Sequence, residues 1–385
     1  MLSAKILTAV TAVLALVAGF GTAAAAQSDA IRKLYETSAT IPTNLEGIYA
    51  YPAPPAGFNV LNASDEELAA YGIPLRPDKV QDPRGYSQWT RVAQLMGNPR
   101  TRWNGELKPR KVHSRAAHAM PSAVGADATT FGASSGTEYG WSGVVNTLPL
   151  TKWSSTKSFS VVRAEFPLPW PQQAFDGQGG NICDGDTDQS AYWVGFGGYY
   201  PPGTINVGNQ TSLAQAGVDT YATCSDQGAY TWVEWVPGPA AQLFSVNPGD
   251  VIYVDVQVTS ATAGSFFIED YTTQQAAGYF ITAPARFPLT GNEAEFIVER
   301  PFGDSNNSFD GLFPLANYVF TIWDLCLAQT FNGAYYGPGD TNAGTYKVSM
   351  LDDQGSVISV PSTYKGLEQM SVQDQGCALR GGCTP

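Results

Sequence analysis

The stretch Leu213 to Val236, LAQAGVDTYATCSDQGAYTWVEWV, reads as two strands joined by a turn that holds a Cys and a Gly. Side chains alternate between the two sides of a strand. In the first strand Gln215, Gly217 and Asp219 therefore share one face, and Ala214, Ala216 and Val218 the other. In the second, Trp232, Glu234 and Val236 lie opposite Val233 and Trp235. An apolar face thus backs a face carrying an amide, two carboxylates and an indole. Such a face either meets plain solvent or lines a polar groove, and the stretch alone leaves both readings open.

Outward from this hairpin the texture stays the same. YGWSGVVN, FSVVRAEFPLP and SAYWVGFGGYY precede it; GDVIYVDVQVTS, GSFFIEDYTT, AGYFITA, AEFIVERPFG, YVFTIW, TYKVSML and SVISVPST follow. Each alternates or runs apolar between turn residues, and no amphipathic helical window of useful length interrupts them. Only 14% of the 385 residues are charged, while glycines number 40 and tyrosines 19, which suits strands and turns. The pattern predicts an all-β, two-sheet antiparallel sandwich of the concanavalin A-like or jelly-roll type over residues 131–385.

The first third differs. Residues 1–26 pair Lys5 with an apolar run and end on Ala24-Ala25-Ala26, which predicts a secretory signal peptide and a secreted, extracellular protein. No later stretch is long and apolar enough to span a bilayer. Residues 27–130 are expected to form a mostly irregular pro-segment and linker. A short helix is predicted from Ser64-Asp65-Glu66-Glu67 through Tyr71, ended by Gly72 and Pro74, with a second over Ser87 to Leu95. The small polar run 121–137 reads as a linker and a processing site.

Charge divides the chain at the same place. Residues 1–120 hold 13 Lys and Arg against 9 Asp and Glu; the remainder holds 8 against 25. A basic leader on an acidic body is expected of a segment that inhibits its own enzyme, and the acidic body disfavours nucleic acid as a partner. Export permits disulfides, and Cys183 with Cys224 and Cys377 with Cys383 are plausible pairs, leaving Cys326.

Both histidines, His113 and His118, lie in the leader. The body therefore offers no Ser-His or Cys-His nucleophile and no His-ligated zinc. Asp184, Asp186 and Asp188 open like a calcium loop, but Gln189 stands where Gly is needed and Gly195 where Glu is needed. No metal and no cofactor is expected. Any chemistry must come from carboxylates and amides. The second stretch of interest is Glu293 to Arg300, EAEFIVER: as a strand it sends Ala294, Phe296 and Val298 inward and leaves Glu295, Ile297 and Glu299 on the other face.

Taken together, YGWSGVV, FSVVRAEFPLP, AYWVGFGG, LAQAGVDT, YTWVEWVPGPA, Gly249-Asp250, GSFFIEDYTT and AEFIVER resemble the glutamic peptidases (eqolisins), acid-acting secreted endopeptidases, in order and spacing from Trp141 to Ser362. ELAAYGIPLRPD resembles pro-segments of some members. The resemblance implies Gln215 and Glu299 as catalytic residues, with Trp193, Trp232, Glu234 and Asp219 lining the substrate groove, and Glu295 as the alternative glutamate. It also implies protein or peptide substrates. The protein is expected to act as a monomer, inhibited by its own pro-segment. The chain departs from the family at Gly197 and Tyr230, where Asp is common, and at Val236, where Tyr is common. A rival reading is a carbohydrate-binding or inactive peptidase-like sandwich, with Tyr199, Tyr200, Trp232 and Trp235 as stacking platforms.

Overall fold

A computed structural model describes residues 38–80, 82–112, 117–118, 120–121, 133–173, 183, 185–200, 212–303, 311–340, 344–364 and 368–375. The leader contributes β1 (Ile41–Pro42), β2 (Ile48–Ala50), helix α1 (Asp65–Ala70), helix α2 (Pro83–Met96), β3 (Lys108–Pro109), β4 (Ala117–His118) and β5 (Met120–Pro121), and the body opens with β6 (Ala133–Glu138). The body continues with β7 (Trp141–Thr147), β8 (Phe159–Pro167), β9 (Asp188–Phe196), β10 (Tyr199–Tyr200), β11 (Leu213–Ala222), β12 (Gln227–Val236), β13 (Ala241–Val246), β14 (Val251–Ser260) and β15 (Ala263–Asp270). It ends with β16 (Gln275–Thr282), β17 (Glu293–Glu299), β18 (Phe320–Thr330), β19 (Tyr335–Tyr336), β20 (Gly344–Leu351), β21 (Val357–Thr363) and β22 (Met370–Asp374).

These strands build the expected sandwich. One sheet runs β13, β12, β11, β9, β17, β7, β20 by antiparallel pairing. The other runs β18, β8, β14, β15, β16, also antiparallel. The alternation decides which face meets which. Tyr192, Val194, Ala216, Val218, Val233, Phe296 and Val298 of the first sheet pack against Val162, Phe166, Val254, Phe266 and Ile268 of the second in one buried cluster. Pairing every apolar side with its opposite number in this way removes both inner faces from water.

The leader is packed on the body rather than loose. Helix α1 carries the predicted capping box, with Ser64 and Glu67 satisfying each other's backbone N–H groups. Helix α2 is longer than predicted because Asp82 caps it and Pro83 takes the first position, where its missing N–H costs nothing. Trp89, Val92 and Met96 of α2 bury themselves against Tyr253, Phe267 and Ala276, on the outer face of the second sheet. Strand β2 adds to the edge strand β16, and β3 adds to the edge strand β13. The leader thus covers one open edge of each sheet, where unpaired backbone groups would otherwise stand exposed.

Two expectations need correction. Residues Ala133–Glu138 are not linker: they pair parallel to β20, and β5 pairs with them in turn. Cys224 is an exposed free thiol, so the pairing with Cys183 is not formed, and the Cys183 Sγ sits 3.3 Å from Gln173 Oε1 instead. The signal peptide, Cys377 and Cys383 lie outside the described residues. No helix among the described residues is long and apolar enough to cross a membrane.

Candidate active site

The outward face of the first sheet gathers the residues that the sequence singles out. Cross-strand register sets them in rows. Glu299 (β17) pairs with Ala191 (β9), which pairs with Asp219 (β11), which pairs with Tyr230 (β12). The next row is Ile297, Trp193, Gly217, Trp232, and the one after it Glu295, Gly195, Gln215, Glu234. Directly paired residues in a ladder share a face, as do residues two apart along one strand. Gln215, Glu299, Trp193, Trp232, Glu234 and Asp219 therefore all project to the same side, opposite the core.

All six are buried, none exposing more than 1% of its surface. Burial obliges polar groups to find partners, and most do. Trp193 Nε1 donates to Glu299 Oε2 at 2.7 Å, and Trp141 Nε1 donates to Glu299 Oε1 at 3.3 Å. Those two indoles meet edge to face, 4.9 Å between centroids, which fixes their N–H groups on the carboxylate. Gln215 Nε2 donates to Glu234 Oε2 at 2.8 Å, while Gln215 Oε1 has no partner among the described residues. Trp193 stands in the row between the amide and the acid.

The leader supplies a cation to this face. Arg110, directly after β3, is buried and donates from Nε and Nη2 to the two oxygens of Asp219, both at 2.7 Å. Its Nη1 donates to Glu234 Oε2 at 3.0 Å, and its guanidinium carbon lies 3.7 Å from the centre of the Trp232 ring. Burial works against that charge, but Asp219 and Glu234 outweigh it and hold the guanidinium above its ordinary value. A planar fork with bidentate hydrogen bonds and a stacked indole is a recognition geometry that Lys could not reproduce.

Glu295 is also on this face, fully buried, with Oε1 accepting from the Gly197 backbone N–H at 3.0 Å. Burial first, and then Glu293, raises its carboxyl well above the usual range. Burial likewise raises Glu293 to about 8. Gly197 adopts φ +84°, and a Cβ there would come 2.5 Å from the Ser212 carbonyl oxygen. That explains one departure from the family pattern: this backbone has no room for an Asp.

Sequence reasoning missed two residues. Trp141 lies in the quoted YGWSGVV but carried no assigned role, since only the fold brings β7 beside β17. Arg110 was one charge in a basic run, and only docking distinguishes it. Trp235, proposed as a sugar platform, instead faces the core and donates its indole N–H to Ser212 Oγ at 2.9 Å. Tyr199 is buried, and the Trp232 ring is covered by Arg110.

The family described as "Peptidase A4 family" matches residues 139–373, well over half of the chain. Aspergillopepsin-2 of Aspergillus niger is 28% identical over 155 residues, 40% of this chain and 51% of that protein. Scytalidopepsin B of Scytalidium lignicola is 32% identical over 113 residues, 28% of this chain and 42% of that protein. The chain thus spans about half the length of these relatives. Among solved structures, scytalido-glutamic peptidase with a transition-state analogue inhibitor aligns at 20% identity and a TM-score of 0.46, over 61% of this chain and 98% of that one.

Proposed function

The chain belongs to the Peptidase A4 family, and we propose that it is a secreted, acid-acting glutamic endopeptidase, made with an inhibitory leader and working through Gln215 and Glu299. The observation that carries this reading is the common face of the two side chains, with Glu299 gripped by two indoles and Gln215 held by Glu234 on that same face.

The chemistry follows from what each group can do. A water held between them gives a proton to the Glu299 carboxylate as its oxygen attacks the scissile carbonyl carbon, the carbonyl electron pair moving onto oxygen. The Gln215 NH₂ donates to that oxyanion; losing one such donor typically costs roughly 3 kcal/mol of barrier. The oxyanion then re-forms the carbonyl, the C–N bond breaks, and Glu299 returns its proton to the leaving amine. An amide suits the second role because it stays neutral at every pH while offering a donor. Asp219, Glu234 and Trp232 would receive substrate where Arg110 now sits, so a basic or amide-bearing peptide side chain fits that position.

Latency has the same origin. Arg110 fills this subsite and, through Glu234, shares the carboxylate oxygen that holds the Gln215 amide. Withdrawal of that guanidinium, with cleavage in the region before β6, would free a monomeric body comprising residues 131–385. The test is N-terminal sequencing of the secreted protein before and after acidification, for wild type and Glu299→Gln. The reading expects a leader lost by wild type and kept by the variant. Loss in both, with no activity toward denatured protein, would contradict it.

A further inference from the structure

The row Glu295, Gly195, Gln215 sets two buried side chains on either side of a residue that has none. Gly195 is required there: a Cβ would lie 2.8 Å from the Ala214 carbonyl oxygen and 2.9 Å from Gln215 Cβ. The two side chains consequently share the space above it. Each leaves one oxygen without a partner among the described residues, Oε2 of Glu295 and Oε1 of Gln215. Neither side chain exposes any surface. Two orphan oxygens on neighbouring groups in a buried site are costly unless one of them carries a proton, and an amide oxygen cannot.

We propose that Glu295 is a positioning residue for Gln215: as a carboxylic acid it donates its O–H to the Gln215 amide oxygen, directly or through one water. The rest of the setting agrees. The other oxygen, Oε1, is already claimed as an acceptor by Gly197 N–H, which leaves Oε2 as the site of the proton. Among the described residues no cation pairs with Glu295: Glu293 is the acid adjacent on its own strand, Tyr199 lies beyond it, and on the opposite side the carboxylates Glu234 and Asp219 are taken up by Arg110. The consequence reaches the chemistry. A hydrogen bond onto the amide oxygen settles which way the Gln215 amide is turned, so that its NH₂ faces the groove. It also withdraws electron density through the amide and makes that NH₂ a stronger donor to an oxyanion. Glu295 never touches substrate; it acts through Gln215, and the inference rests on the dyad reading above.

The experiment compares wild type, Glu295→Gln, Glu295→Leu and Gln215→Ala after acid activation, on a peptide substrate at pH 3 to 4. Gln at 295 can accept from Gly197 and donate to Gln215, so it is expected to keep at least about a third of wild-type kcat. Leu fills the same volume without a donor and is expected to lose about tenfold or more in kcat, with KM within about twofold, because alignment of an oxyanion donor matters mainly in the transition state. The side-chain NH₂ resonances of Gln215, identified by their absence in Gln215→Ala, should shift in the Leu variant and return in the Gln variant. Wild-type turnover by Glu295→Leu while Gln215→Ala is inactive overturns the positioning role alone. Wild-type turnover by Gln215→Ala overturns the dyad and this inference together. Should the Leu variant fail to fold, crystals of the wild type decide: a Glu295 Oε2 within about 2.5–3.0 Å of the Gln215 amide oxygen, or one water joining them, supports the assignment. An amide turned with its NH₂ toward Glu295 overturns it.

Discussion

Arg110 Nη1 and Gln215 Nε2 converge on one atom, Glu234 Oε2, at 3.0 and 2.8 Å. The leader and the candidate catalytic amide are therefore joined through a single carboxylate oxygen. Whatever frees Arg110 also changes the hydrogen bonding of Gln215, which links removal of the leader to the state of the active site without any movement of the sheet.

Arg110→Ala removes a buried ion pair from one side only, leaving Asp219 and Glu234 buried and uncompensated. Breaking such a pair typically costs roughly 3–5 kcal/mol, which weakens leader docking by a factor on the order of 10² to 10⁴. Size-exclusion chromatography of an inactive Glu299→Gln protein, nicked once between leader and body, reads this directly. The variant leader is expected to dissociate at pH 7, where the unmodified leader stays bound. Arg110→Lys keeps the charge but loses the fork and is expected to fall between the two.

Beneath helix α2 lies a buried carboxyl whose ionisation opposes folding. Glu269 lies in the row Glu165, Tyr253, Glu269, and burial, outweighing the opposing influence of Arg91, raises its carboxyl from 4.5 to about 9. A carboxyl raised in the folded state contributes stability below its unfolded value, and that contribution is lost as pH climbs through the folded one. From Glu269 alone, the precursor therefore becomes less stable from about pH 4.5 toward pH 9. Glu269→Gln should raise the melting temperature of the inactive precursor at pH 8, by a few degrees for a gain on the order of 1–3 kcal/mol, and change little at pH 4. An equal change at both values would show that ionisation is not the cause.

Gly197→Asp would restore the residue common at this position in the family. With φ at +84° and the Ser212 carbonyl oxygen 2.5 Å from the new Cβ, it is expected to destabilise the body. A strained left-handed backbone alone costs about 1–3 kcal/mol. The check is urea denaturation of the inactive precursor: a lower midpoint at unchanged slope is expected, and a midpoint at or above wild type would mean the loop relaxes freely.

The sandwich was legible because its strands alternate so regularly that faces could be assigned before partners were known. Ala294, Phe296 and Val298 went to the core and Glu295, Ile297 and Glu299 to the other side, as read. Gln215, Gly217 and Asp219 likewise share the face of Trp232 and Glu234. Register was not legible, since alternation fixes a face but not a row. Nothing in EAEFIVER says that Glu295 shares a row with Gln215 while Glu299 lies two rows away, beside Asp219. Arg110 was hidden for a similar reason: the charge imbalance announced attraction between leader and body but could not choose among thirteen basic residues. Helix α2 begins at Pro83 rather than Ser87 because Asp82 caps it and Pro83 fits the first helical position.

The central claim is that one amide on β11 and one acid on β17, on the same face of one sheet with β9 between them, hydrolyse peptide bonds; it is tested most directly by assaying acid-denatured protein at pH 3 to 4 with wild type, Gln215→Ala and Glu299→Gln, each freed of its leader beforehand. Wild type should cleave, and each variant should lose about two orders of magnitude or more in kcat, with substrate binding largely kept. Undiminished cleavage by either variant would contradict the account.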